Sequence, residues 1–244
     1  YDLHANSDLK QLSPFITKVF IDSKNNLWIT TDGAGIYFST NRKDFYHYYN
    51  NPFDFQSLSD NRVWSIFEDR TNIIWIGTFS GGINKYNPQN KRFKLVQKNP
   101  VDNNSLIQNF VKAIYVDKEN KVWIGTYGGI SVWDRKKNIF KSFSNSPNCK
   151  NCLSNNRIRS ITEDKDGFIW IGTWGGGATK YDKRTNQFTI FINDSLNNKS
   201  IGDNFVRMIY EDKKGVLWFA TERGISRYNK NTNSFFTYKP DPNN

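Results

Sequence analysis

Methionine occurs once, and cysteine and histidine twice each, in a chain of 244 residues. So little sulfur excludes a disulfide-built scaffold. It also leaves no zinc site, because Cys149 and Cys152 lack two further ligands and the histidines, His4 and His47, lie far away in sequence. Two histidines in irregular contexts give no Ser-His-Asp pattern, and no phosphate-binding loop is present. No apolar run approaches the roughly 18 residues of a membrane-spanning helix. No secretory signal opens the sequence, which leads us to expect a mature or trimmed product, or a cytosolic one. Sustained helical periodicity is missing as well. The formal net charge is +11, yet Lys and Arg are scattered with no long basic tract, which argues against a nucleic-acid binder. Most of these cations fit solvated sheet edges, where Lys also opposes edge-to-edge association.

What the sequence does have is aromatic residues in strict order. The phrases LWITTDGAG, IWIGTFSGG, VWIGTYGG, IWIGTWGGG and LWFATERG recur along the chain. Their tryptophans are Trp28, Trp75, Trp123, Trp170 and Trp218, separated by 47, 48, 47 and 48 residues. A period this regular over the whole length identifies a repeat protein. Each unit reads as four short strands: one such as IRSITED, then the WIGT strand, then one such as GISRY, then one such as QFTIF. Turn signals about every 8–12 residues separate them, which predicts an all-β fold. Four strands per unit of about 45 residues predict a β-propeller blade.

Within a unit, the glycines after WIGT (Gly81, Gly82, Gly128, Gly129, Gly175, Gly176) are expected to reverse the chain through positive φ. Each tryptophan is expected to fill the wedge between blades. The aspartates that end the first strands (Asp22, Asp69, Asp117, Asp164, Asp212) are expected to cap the next turn, and a polar turn such as NPQNK at residues 87–91 is expected to lead into the fourth strand. Asp164-Lys-Asp166-Gly167 echoes a calcium loop but lacks the later Asp/Asn and Glu, so a plain turn is expected.

The phrase ED-x-x-G-x-IWIGT-x-GGG, followed by K-Y-D/N and F-x-x-F/Y, resembles the two-component regulator propeller repeat. The resemblance covers all five units. The first departs at Thr30 and Ala34, and the fifth at Ala220 and Glu222-Arg223-Gly224, which bears on local turns only. It implies the periplasmic sensor region of a hybrid two-component histidine kinase from gut bacteria that digest polysaccharides. Members of that family usually carry more repeats, often two seven-bladed propellers before an immunoglobulin-like domain, a membrane helix and the kinase. The expectation is therefore a single propeller domain over residues 1–244, either a small closed ring or a segment of a larger one. Its blades are expected near residues 13–50, 59–98, 107–145, 154–193 and 202–240.

Two constellations could carry recognition. The residue after the threonine of WIGT is Asp32, Phe79, Tyr127, Trp174 and Glu222 in turn. Variable chemistry on a nearly fixed scaffold is what a grafted binding surface looks like. Phe79, Tyr127 and Trp174 could stack on sugar rings; the competing reading is packing against neighbouring loops. At the entry to the first strands stand Phe15, Arg62, Phe110, Arg157 and Phe205, and just after the first apolar residue of each strand stand Thr17, Trp64, Lys112, Arg159 and Arg207. The cations among them (Arg62, Lys112, Arg157, Arg159, Arg207) suit carboxylate or sulfate; the competing reading is pairing with Asp and Glu of adjacent blades. Cys149 and Cys152 are expected in an exposed loop, as a disulfide in an oxidising compartment or as free thiols. The function expected is ligand sensing, with an oligosaccharide, preferably acidic, as partner and the signal passed to a kinase outside this chain. Such a segment needs no cofactor and no catalytic residue, and touches membrane only through its parent protein. The alternatives are a propeller-fold enzyme acting on glycans, lyase-like, and a protein-interaction scaffold.

Overall fold

The computed structural model describes residues 15–88 and 92–239. Tyr1, His4 and part of the turn at residues 87–91 lie outside the described residues. Five four-stranded sheets account for all the strands, and no helix occurs among the described residues. The first sheet holds β1 (Ile16–Ile21), β2 (Leu27–Thr31), β3 (Ile36–Ser39) and β4 (Tyr46–Tyr48). The second holds β5 (Val63–Glu68), β6 (Ile74–Thr78), β7 (Ile83–Asn87) and β8 (Arg92–Val96). The third holds β9 (Val111–Val116), β10 (Val122–Thr126), β11 (Ile130–Asp134) and β12 (Ile139–Phe143). The fourth holds β13 (Ile158–Glu163), β14 (Ile169–Thr173), β15 (Ala178–Asp182) and β16 (Gln187–Phe191). The fifth holds β17 (Val206–Glu211), β18 (Leu217–Thr221), β19 (Gly224–Asn229) and β20 (Ser234–Tyr238). In every sheet the strands lie side by side in chain order, the arrangement of a propeller blade. The chain divides into two compact units, one ending at Ile114 and the other beginning at Tyr115.

The repeated residues explain the repeated sheet. The aspartate closing each first strand caps the turn and also holds the tryptophan of the second strand. Asp164 Oδ1 accepts a hydrogen bond from the Phe168 amide at 2.9 Å, and its Oδ2 accepts one from Trp170 Nε1 at 2.7 Å. The same bond to indole recurs at Asp22–Trp28 (2.9 Å), Asp69–Trp75 (2.9 Å), Asp117–Trp123 (2.8 Å) and Asp212–Trp218 (3.0 Å). A buried indole N–H must find an acceptor, so the carboxylate makes burial of the large ring affordable in free energy.

In the unit ending at Ile114, the core gathers Trp28, Ile36, Leu58, Val63, Ile66, Ile74, Ile76, Tyr86 and Phe93. Trp28 meets Tyr86 of the second sheet edge-on, ring centres 5.4 Å apart. In the unit beginning at Tyr115, Trp170, Val206, Ile209, Phe219, Tyr228 and Phe235 form the corresponding core, with Trp170 edge-on to Tyr228 at 4.8 Å. Each large ring removes roughly 150–250 Å² from water, on the order of 4–6 kcal/mol of transfer free energy. Sheets are also clasped through turns. The Ser23 amide donates to Glu68 at 2.6 Å, Lys118 to Glu163 at 2.7 Å and Lys165 to Glu211 at 3.1 Å. The glutamate that precedes the turn aspartate thus serves the turn of the preceding blade.

The glycines divide into two roles rather than one. Gly177 has φ +70°, and a Cβ there would lie 2.1 Å from the Phe191 carbonyl oxygen of β16. Gly176 has no such backbone; a Cβ on it would press on Asn155 at 2.7 Å. Its role is close approach of the loop that leads into β13. Gly177→Ala should therefore cost about 1–3 kcal/mol, from left-handed strain and the clash together. Urea unfolding checks this, and an unshifted midpoint would refute the assigned turn.

Candidate functional site

The two residue sets singled out above are brought together by backbone pairing. The amide of the residue after the WIGT threonine donates to the carbonyl of the residue entering the first strand of the same blade. These bonds run from Asp32 to Phe15 (2.9 Å), Phe79 to Arg62 (2.9 Å), Trp174 to Arg157 (2.8 Å) and Glu222 to Phe205 (3.2 Å). The threonine secures the turn: Thr173 Oγ1 donates to the Gly177 carbonyl at 3.0 Å and accepts from the Gly176 amide at 3.1 Å.

Two residues further in, the first strand carries a β-bulge. The register skips Thr17 in β1, Trp64 in β5, Arg159 in β13 and Arg207 in β17. Each of these residues stands opposite no partner on the neighbouring strand, which re-aims its side chain. The cationic position read from the sequence is a bulge position. Its sequence signal was the change of chemistry at one place in the repeat; the bulge itself has no residue signature.

The unit ending at Ile114 holds Arg62, Trp64, Phe79, Phe110 and Lys112 together. The Arg62 guanidinium lies 4.0 Å from the Phe79 ring centre, Phe79 is edge-on to Phe110 at 4.2 Å, and the Lys112 ammonium sits on the face of Trp64. Arg62 is also paired with Asp60 of its own loop at 3.4 Å. Burial works against ionisation of Asp60, but hydrogen bonds from Ser80 and Arg62 hold its carboxyl below the usual range. Trp64 Nε1 is buried with no hydrogen-bond partner. This cluster is largely closed on itself, as the packing reading expects.

The unit beginning at Tyr115 is different. Arg159 lies between two rings, 4.2 Å from Trp174 and 5.8 Å from Tyr127. Arg157 reaches Tyr127 at 6.0 Å and Arg207 reaches Trp174 at 6.0 Å. Glu222 answers this group through a 2.7 Å bond from Arg207 Nε. That bond from Arg207 holds the Glu222 carboxyl below its ordinary range. Burial lowers the pKa of Arg159, and the neighbouring Arg207 and Arg157 lower it further. Arg159 Nε is itself buried without a hydrogen-bond partner. Trp174 is steadied by Phe205, edge-on at 4.8 Å. Three guanidiniums therefore gather against two half-buried rings, and one carboxylate, Glu222, is bonded to one of them. Such a place favours an anion with a flat apolar face.

Cys149 and Cys152 are free thiols, and only Cys149 is exposed. Cys152 is buried, contrary to the exposed position expected for both, with its sulfur turned toward the Asn145 side-chain amide at 3.9 Å. Burial pushes its thiol pKa up, and the hydrogen bond with Cys149 pushes it further. No cluster of three or more metal-ligating side chains occurs among the described residues.

The profile of the two-component regulator propeller matches residues 57–80, 105–128, 152–175 and 200–223. Each match runs from the loop before a first strand to the turn after the second. The extracellular domain of a protein described as a hybrid two-component system, from B. thetaiotaomicron, superimposes with a TM-score of 0.79 at 27% identity. That match covers 92% of this chain and 30% of the other. A second extracellular domain of that description, from the same organism, gives a TM-score of 0.76 at 27% identity, over 93% of this chain and 31% of the other. The chain thus spans under a third of the length of either protein. Virginiamycin B lyase from Staphylococcus aureus, at 16% identity and a TM-score of 0.68 over 95% of this chain and 72% of its own, shares the fold alone. No curated protein matches the sequence.

Proposed function

We propose that the chain, four stretches of which match the two-component regulator propeller repeat, is the extracytoplasmic, periplasmic sensing segment of a two-component receptor. Its ligand in this reading is an oligosaccharide, preferably an acidic one, and the signal passes to a histidine kinase elsewhere in the parent protein. The observation that carries the ligand class is the excess of Arg157, Arg159 and Arg207 over Glu222 around Tyr127 and Trp174. A sugar ring lays its C–H face on Trp174, and a carboxylate or sulfate meets the guanidinium of Arg159. No chemical step follows. Binding shifts the population of a signalling state, which requires different affinity for the two states.

Calorimetric titration with a uronic-acid oligosaccharide and with a neutral one of the same length tests the reading. Arg159→Ala should weaken the acidic ligand about tenfold or more, the scale of one lost charge-assisted contact, and leave the neutral one unchanged. Trp174→Ala should weaken both. Affinity for the acidic ligand should fall with salt. Acidic ligand bound equally by both variants would remove the site from this face.

A further inference from the structure

The loops that lead from one blade to the next share a frame. The amide at the loop's start donates to an asparagine Oδ1 at its end: Asn50 to Asn61 (2.6 Å), Lys98 to Asn109 (2.6 Å), Asn145 to Asn156 (2.5 Å) and Asn193 to Asn204 (2.7 Å). Inside that frame, three loops use the same two polar pins. A serine hydroxyl accepts from the amide that follows, as Ser57 does from Asn51 (2.9 Å), Ser105 from Asn99 (2.9 Å) and Ser200 from Asp194 (3.0 Å). Three residues earlier, an Asp or Asn side chain caps the amide two residues on: Asp54 to Gln56 (2.9 Å), Asp102 to Asn104 (2.8 Å) and Asn197 to Lys199 (3.0 Å).

In the remaining loop both pins are changed at once, and to the same residue. Cys152 stands where the serines stand and Cys149 where the Asp or Asn stands. A thiol is a weak substitute for either. The Cys152 thiol donates to the Cys149 carbonyl at 3.3 Å, so the two residues already meet across a bend of the chain. The two thiols are themselves in hydrogen-bond contact, so a disulfide asks for little movement of the chain. The same loop supports the site, since a Cβ on Gly176 would touch Asn155 and the Arg157 carbonyl holds the Trp174 amide.

We propose that Cys149 and Cys152 form a disulfide that replaces, in this loop alone, the two polar pins of the other three, and thereby fixes the seat of Arg157 and Trp174. The proposal rests on the extracytoplasmic reading for its oxidant, a protein or small-molecule disulfide. Exposed Cys149 attacks that disulfide as thiolate and forms a mixed disulfide, releasing one thiol. Cys152 then attacks Cys149 Sγ and expels the second thiol. Two thiols of the chain are oxidised and one disulfide of the oxidant is reduced to two thiols.

The test equilibrates the purified chain with oxidised glutathione and labels thiols with iodoacetamide before and after reduction. The expected result is no label before reduction and two labels after it. The oxidised form should melt about 4–8 °C above the reduced form. Cys149→Asp with Cys152→Ser rebuilds the pins of the other loops; this variant should melt near the oxidised form and ignore reductant. Cys149→Ala with Cys152→Ala should melt near the reduced form. Persistent labelling of both cysteines in the oxidised buffer, or an Asp/Ser variant no more stable than the Ala/Ala one, would overturn the proposal. Closure in glutathione with free thiols trapped in cells would instead count against the extracytoplasmic reading.

Discussion

Trp170→Ala is expected to lower the unfolding free energy by about 3–5 kcal/mol, the range for truncating a fully buried large aromatic. For a chain of this size that corresponds to a melting temperature lower by roughly 6–20 °C. Trp170 is inaccessible to solvent, and its ring meets Tyr228 at 4.8 Å, Phe219 at 5.3 Å and Phe191 at 5.5 Å. Those rings come from its own blade and the next, so the cavity would open between two sheets that cannot collapse independently. Trp218→Ala supplies the control. Trp218 repeats the same motif but is only half-buried, with Tyr238 as its ring neighbour at 6.1 Å. Its replacement should cost clearly less. Differential scanning calorimetry of both variants decides the matter, and equal losses would contradict the wedge role assigned to Trp170.

Asp164→Ala should approach the same size, about 3–4 kcal/mol, although it removes almost no apolar area. It deletes two hydrogen bonds to a carboxylate, from the Phe168 amide and from Trp170 Nε1, and strands the indole N–H in the core. Bonds to charged groups contribute about 1.5–3 kcal/mol, and an unmet buried donor costs about 1–3 kcal/mol. Asp164→Asn should fall between, since its oxygen can serve one donor while its NH2 group opposes the other. Because both Trp170→Ala and Asp164→Ala remove the indole–carboxylate bond, the double variant should lose less than the two single losses added together. Strict additivity, measured by denaturant unfolding, would mean the bond contributes nothing.

The blades were legible because tryptophan, WIGT threonine and turn aspartate recur at fixed spacing and each acts within one unit. The bond between Asp164 and Trp170 was not read, although both residues were. It depends on strand register, which places the end of β13 over the start of β14. The clasp from Glu163 to the Lys118 amide was hidden for another reason: it joins residues one repeat apart, and a repeat pattern does not say which neighbour a side chain serves. At the site, the positions of Phe79, Tyr127, Trp174, Arg62, Lys112, Arg157, Arg159 and Arg207 could be picked out as places where chemistry varies. Which cations are spent locally could not. Arg62 is held by Asp60 and Arg207 by Glu222, whereas Arg159 lies against Trp174 with its Nε unmatched.

A residue that the ladder register skips can be exchanged without a direct cross-strand neighbour having to change with it. Thr17, Trp64, Arg159 and Arg207 occupy that one backbone position with a hydroxyl, an indole and two guanidiniums. If the proposed site holds, the bulge lets the recognising residue vary while the ladder on either side of it stays the same. Selection can rewrite the first at a single codon per repeat, and a library randomised at those four codons should keep most of its members soluble while their ligand preferences scatter.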